Sequence, residues 1–220
     1  MIPLGDSIRP QKRPYINILF IVLNIVIFVY QLGLTKVELI EFIYRYGVIP
    51  EKFLLFQGLN WFPLVSSTFL HGGWLHLLGN MLYLWVFGDN IEDRLGHAGY
   101  FVFYLAAGAV SGLAHIIANP LSAVPTVGAS GAVAGVLGAY FILFPHARVL
   151  TLIPVGFFIT TARLPAVLFL FFWFLLQVFN VFLAGVTPDA QMVAWWAHIG
   201  GFAMGLIVGV IKYLYQRLSD

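Results

Sequence analysis

The chain is expected to be an all-α integral membrane protein of six spanning helices with both termini cytoplasmic, for three reasons. Of its 220 residues 61% are hydrophobic and only 9% charged, with a mean hydropathy of +0.93, whereas a soluble domain carries about a quarter charged residues. The apolar residues gather into segments near the roughly 20 residues a bilayer crossing needs, at 14–33, 64–88, 98–118, 128–144, 164–185 and 192–214. The cations divide unevenly between the two sides. With the amino terminus inside, eight (Arg9, Lys12, Arg13, Arg94, Arg148, Arg163, Lys212 and Arg217) lie on the inner face and three (Lys36, Arg45 and Lys52) on the outer, the bias of cytoplasmic loops.

Taken in order, residues 1–13 form a basic cytoplasmic segment that leads into an apolar run with no small-residue cleavage site. That run reads as a first span rather than a cleavable signal. Residues 34–63 mix Glu38, Glu41, Arg45, Glu51 and Lys52 with Ile40, Phe42, Ile43 and Phe53, a pattern suited to an interfacial element on the outer face. The second span carries His71, His76 and Asn80, the last two sharing a face at i and i+4. The fourth starts near Ser130 and must end by Pro145, so it holds about 15 residues, or ~22 Å, against a ~30 Å core. The loop from Asn119 to Ala129 must then dip into the membrane, which irregular backbone tolerates only where protein or water surrounds it. Residues 145–163 form a cytoplasmic loop, within which Leu150 to Thr161 is apolar but too short to span and contains Pro154 and Gly156. In the sixth span His198 falls roughly 8–10 Å below the outer end, taken at Met192. No internal repeat or linker divides the chain, so residues 1–220 read as one domain.

A formal charge of +2 is too small to suggest a nucleic-acid partner, and the absence of cysteine excludes disulfides, thiol catalysis and thiolate metal sites. Polar groups inside spans are costly and mark functional sites by default. Here Ser130, His76, Asn80 and His198 come from three spans, all in the outer half, which points to a cavity open to the outside. Small residues continue below two of them. Ser130 heads a column of Ala134 and Gly138 flanked by Gly131 and Gly135, and His198 heads Gly201, Gly205 and Gly209. Such faces let membrane helices pack backbone to backbone, which brings hydroxyl and imidazole within hydrogen-bonding reach.

Each feature has a plainer reading. A serine opening a helix is usually a cap, a lone histidine is more often a packing residue, and Gly-x-x-x-Gly pairs mostly just join helices. His71, His76 and His198 could hold a metal or haem, although no His-Glu-x-x-His occurs. His97 and His146 fall at the cytoplasmic ends as surface residues, and His115 near the outer end of the third span.

The joint pattern resembles the rhomboid family of intramembrane serine proteases over nearly the whole chain. Thr68 to Met81, with His71, His76 and Asn80, resembles the family's second-helix signature. Glu92 to Gly96 resembles its Glu-x-x-x-Gly turn, Gly128-Ala129-Ser130-Gly131 its nucleophile motif, and His198 with Gly201 and Gly205 its sixth-helix motif. The resemblance implies a six-helix core with Ser130 as nucleophile and His198 as general base. It further implies an oxyanion site made by the Ser130 amide with His76 and Asn80, and supporting roles for His71, Gly128, Gly131, Gly201 and Gly205. The fifth helix and the loop before the sixth would form a lateral gate, with Phe171, Phe172 and Trp173 among its bulky residues. One position departs. Some members carry an aromatic residue one turn after the nucleophile, against which the base packs, and here it is Ala134. The orientation of His198 must come from elsewhere.

The expected function is hydrolysis of peptide bonds in or near transmembrane helices by a Ser130–His198 dyad, with no cofactor and no metal. Asp189, in the loop before the sixth span, is no candidate third member. Substrates are expected to be transmembrane proteins, for which the resemblance implies small residues beside helix-breaking ones at the cleavage site, and membrane lipids the other partners. The alternative is an inactive membrane protein that binds client helices. A multi-pass protein of a prokaryotic plasma membrane is the expected location.

Overall fold

The computed structural model describes residues 1–55, 60–155, 158–184 and 194–219. In chain order these form strand β1 (Ile2–Asp6) and helix α1 (Tyr15–Leu32), then three short helices, α2 (Lys36–Tyr46), α3 (Pro50–Leu55) and α4 (Phe62–Ser66). A 3₁₀ turn at Ser67–Phe69 leads to α5 (Trp74–Tyr83), a π-helical turn (Leu84–Gly88), α6 (Asp89–Leu95), α7 (His97–Ala118) and α8 (Ser130–Leu143). Strands β2 (Arg148–Val155) and β3 (Phe158–Pro165), α9 (Ala166–Ala184) and α10 (Trp195–Ser219) complete the chain.

Among the described residues, four helices are long and apolar enough to cross a membrane, at Tyr15–Leu32, His97–Ala118, Ala166–Leu183 and Trp195–Leu218. Two further apolar helical runs occupy the places of the expected second and fourth spans, α5 with its π-helical continuation and the 14-residue α8. The second begins later than expected, at Trp74 rather than 64, because the Gly72–Gly73 pair separates it from the short turns before it. Helix α8 stands in the middle of the bundle, with every residue from Gly131 to Tyr140 buried. A helix apolar on all sides is either a core helix or a membrane span, and its burial makes this one the core helix. It packs most extensively against α10 and also against α7, while α9 closes a further side.

The stretch expected at the outer interface carries α2, α3 and α4. Thr35 and Glu38 form a reciprocal capping box at the start of α2, in which the Thr35 side chain takes the Glu38 amide and the Glu38 side chain the Thr35 amide. The expected cytoplasmic loop is instead a β-hairpin, β2 pairing antiparallel with β3, and residues 1–13 add β1 as a third strand in the order β1-β2-β3. The helical expectation did not contain this sheet. Its physical origin is the run of β-branched and apolar residues from Val149 to Ile153, which pairs with Thr160 to Leu164 and suits a pleated, half-buried surface.

Polar contacts at this end of the bundle tie the sheet to the helices. The Glu92 carboxylate accepts the amides of Ile16 at 3.0 Å and Asn17 at 2.7 Å, which the first turn of α1 leaves open, and pairs with His97 Nδ1 at 2.5 Å. Asp6 accepts from Asn90 Nδ2 at 2.9 Å and from the Tyr140 hydroxyl, joining β1 to α6 and α8. His97 is therefore exposed, as expected, but anchored; His146 is exposed.

Candidate active site

Loop 119–129 is fastened before it reaches α8. Val48 and Thr126 exchange backbone hydrogen bonds of 3.0 and 2.7 Å, and the Gly128 amide donates to Ser67 O at 2.9 Å. Gly128 has φ +129°, which favours glycine, and a Cβ there would stand 2.5 Å from His76 Cε1. The loop can turn in only because this residue has no side chain. Ala129, fully buried, occupies the helix cap position and makes no side-chain capping bond. Ser130 is thus the first residue of α8, and its hydroxyl faces an imidazole: Ser130 Oγ lies 2.8 Å from His198 Nε2.

The α8–α10 contact sets that distance. A Cβ on Gly201 would stand 2.0 Å from Gly131 O, and one on Gly205 would stand 2.0 Å from Gly135 O. Gly131 in turn faces α7, where a Cβ would meet Ser111 Oγ at 2.0 Å. The backbones touch, as the two glycine columns lead one to expect. Ala134, also fully buried, lies 3.3 Å from where a Gly201 Cβ would be, so an aromatic ring has no space at that position.

His198 is oriented by other groups. Its Nδ1 lies 2.9 Å from Gln177 Oε1 on α9, and Gln177 Nε2 donates to Trp173 O at 2.8 Å. The Trp173 and Trp195 rings flank the imidazole at centroid distances of 6.1 and 5.7 Å, tilted by 35° and 89°. Gln177 was missed in the sequence, although a buried amide in a helix otherwise composed almost wholly of apolar residues was the available signal.

Ser130 and His198 open onto a cavity of about 1300 Å³, lined also by His76, Asn80, Ser111, His115, Trp173 and Gln177. No charged side chain lines it among the described residues; Asp189 and most of the loop before α10 lie outside them. Asn80 Nδ2 is 3.0 Å from His71 Nε2, and the His71 and His76 rings meet edge to face at 5.1 Å. Gln31, a second residue missed in the sequence, brackets the His71 backbone, its Oε1 taking the amide at 3.1 Å and its Nε2 giving to the carbonyl at 3.2 Å. His115 pairs within its own helix end with Asn119 Nδ2 at 3.3 Å. Of the bulky α9 residues, Phe171 and Phe172 are exposed while Trp173 turns inward. Among the described residues no group of three His, Cys, Asp or Glu side chains is arranged to hold a metal.

Comparison with known proteins identifies the family. The Rhomboid domain model matches residues 58–215. The chain is 30% identical over 183 residues to Rhomboid protein 1, mitochondrial, of Saccharomyces cerevisiae, covering 77% of this chain and 46% of the relative. It is 34% identical over 136 residues to Rhomboid protease GluP of Bacillus subtilis, covering 60% and 25%. It is 33% identical over 130 residues to Rhomboid-like protein 11, chloroplastic, of Arabidopsis thaliana, covering 59% and 42%. The chain thus spans less than half the length of each of these relatives. Mitochondrial and chloroplast proteins among them leave the expected prokaryotic plasma membrane without support. A multi-pass membrane protein of the rhomboid family is what the fold, the site and the comparisons together establish, and the chain belongs to that family.

Proposed function

We propose that the chain is an intramembrane serine endopeptidase that cleaves transmembrane proteins. The observation that carries this reading is the 2.8 Å contact between Ser130 Oγ and His198 Nε2 at a cavity inside an apolar bundle. Ser130 Oγ attacks the scissile carbonyl carbon as its proton passes to His198 Nε2, and the carbonyl electron pair moves onto oxygen. As the first residue of α8, Ser130 has a backbone amide without an intrahelical acceptor, available for that oxyanion at the positive end of the helix dipole. Asn80 uses one amide hydrogen on His71 and has a second to give, with His76 beside it. Collapse of the intermediate expels the amine, which takes the proton from His198. Water, deprotonated by the same imidazole, then releases the acyl group.

The substrate must enter as an unwound segment, since a helical carbonyl is shielded by its own hydrogen bond. Small residues beside helix breakers are the sites expected to be cut. In this reading α5 and α8 cross with the four longer helices, making six crossings with both termini cytoplasmic. Their ~22 Å lengths suffice because neighbouring helices and the cavity surround them.

A fluorescent fluorophosphonate probe tests the reading on purified protein beside Ser130→Ala and His198→Ala. Labelling of wild type alone supports it. Labelling absent from wild type, with access shown by a second inhibitor class, turns the reading to a protein that binds client helices without cutting them.

A further inference from the structure

We infer that Gln177 is the positioning residue of the dyad: its side-chain carbonyl accepts the Nδ1–H of His198 and so keeps Nε2 unprotonated and aimed at Ser130. The consequence for catalysis rests on the protease reading; the contact itself does not.

Gln177 lies within α9 and is 4% exposed. An amide inside an apolar bundle is expensive unless both its ends are satisfied, so its partners define its orientation. The NH₂ end gives to Trp173 O at 2.8 Å. Exchanging the two ends would set Oε1 against that carbonyl oxygen, two acceptors with no proton between them. The oxygen end therefore faces His198 Nδ1, at 2.9 Å. Oε1 has only lone pairs to offer, so the proton between them sits on Nδ1. A neutral imidazole carries one N–H, so Nε2 bears a lone pair where Ser130 Oγ stands 2.8 Å away. Donation runs in one direction: Ser130 hydroxyl to His198, His198 to Gln177, Gln177 to the backbone of its own helix.

A carboxylate holds this place in a Ser-His-Asp triad, where it selects the tautomer and also stabilises the imidazolium. An amide does only the first. It also adds no charge to a cavity that holds none among the described residues. The two tryptophans restrict the ring from its sides, while Gln177 determines which nitrogen carries the proton. Together they account for an ordered base at a site where Ala134 leaves no room for an aromatic ring.

The test uses the full chain with ¹⁵N-labelled histidine in lipid nanodiscs, read by long-range ¹H–¹⁵N correlation at neutral pH, with His198→Ala assigning the signal. Wild-type His198 is expected in the Nδ1–H tautomer and Gln177→Met in a mixture of the two. Fluorophosphonate labelling of Gln177→Met is expected to slow by roughly tenfold or more at unchanged half-saturation. Gln177→Glu, which keeps an acceptor oxygen in place, should recover most of that rate. An Nε2–H tautomer in wild type overturns the inference, as does a methionine variant with wild-type tautomer and labelling. The wild-type spectrum decides even where the methionine variant does not fold. An Nδ1–H tautomer in a wild type that never labels keeps the Gln177 contact and removes the protease reading instead.

Discussion

At the scale of single residues the site is built from groups whose presence in lipid needs a reason. Ser130, His76, Asn80 and His198 were legible in the sequence because each is a polar side chain within an apolar segment. Gln177 and Gln31 carried the same signal, but a single amide has no motif around it, and its partner lies on another helix. Ser130→Ala should lower turnover by about a thousandfold or more with little change in thermal stability, since among the described residues the hydroxyl bonds to His198 alone; cleavage and melting assays read both. Asn80→Ala should cost about 100- to 1000-fold in kcat, the range for one oxyanion donor, and KM separates this from a binding defect. Gly128→Ala places a side chain at φ +129° and within 2.5 Å of the His76 ring. It should destabilise by about 1–3 kcal/mol and slow labelling together, a pairing that Ser130→Ala does not show.

Among the elements, the α8–α10 contact was readable from two columns of small residues, because backbone-to-backbone packing leaves few alternatives to glycine. Gly205→Val would press a branched side chain against Gly135 O, which a Cβ alone already approaches to 2.0 Å. The helices must separate, and the Ser130–His198 distance with them. A melting temperature lowered by several degrees and strongly reduced labelling are expected, and a variant that keeps both would show that this contact does not set the dyad. The β-hairpin was not readable as a strand pair. A short apolar run looks alike as a loop, a strand or a buried helix end, and the third strand that joins the hairpin comes from residues 2–6, more than a hundred positions away. The late start of α5 has a local cause in Gly72–Gly73, so it was in principle legible.

For the molecule as a whole, buried carboxyl groups make stability depend on pH. Burial, and then the neighbouring Asp6 charge, push the Asp89 carboxyl up from 3.8 to about 7. A group bound to its proton more tightly in the folded state stabilises fully below its unfolded value and loses that contribution as pH rises through its folded one. Thermal stability is therefore expected to fall between pH 4 and 7, and Asp89→Asn to flatten that slope, as melting curves across the range will show. Glu92→Ala leaves the Ile16 and Asn17 amides without their acceptor and should cost about 3 kcal/mol. The topology is equally open to test. The chain has no cysteine, so single cysteines placed at each loop report sidedness without background, and a terminus labelled from outside would refute the cytoplasmic assignment. What the sequence by itself determined was the choice of lipid as solvent, the apolar helices and the polar and small residues set into them. Each of these follows from local composition and period, which a bilayer penalises or rewards residue by residue. Only the tertiary structure decided that Ser130 and His198, 68 positions apart, meet at 2.8 Å, that an amide from a third helix holds the imidazole, and that two chain segments join in a sheet. Those outcomes depend on how helices rotate and pair across long separations, and local period carries no record of that.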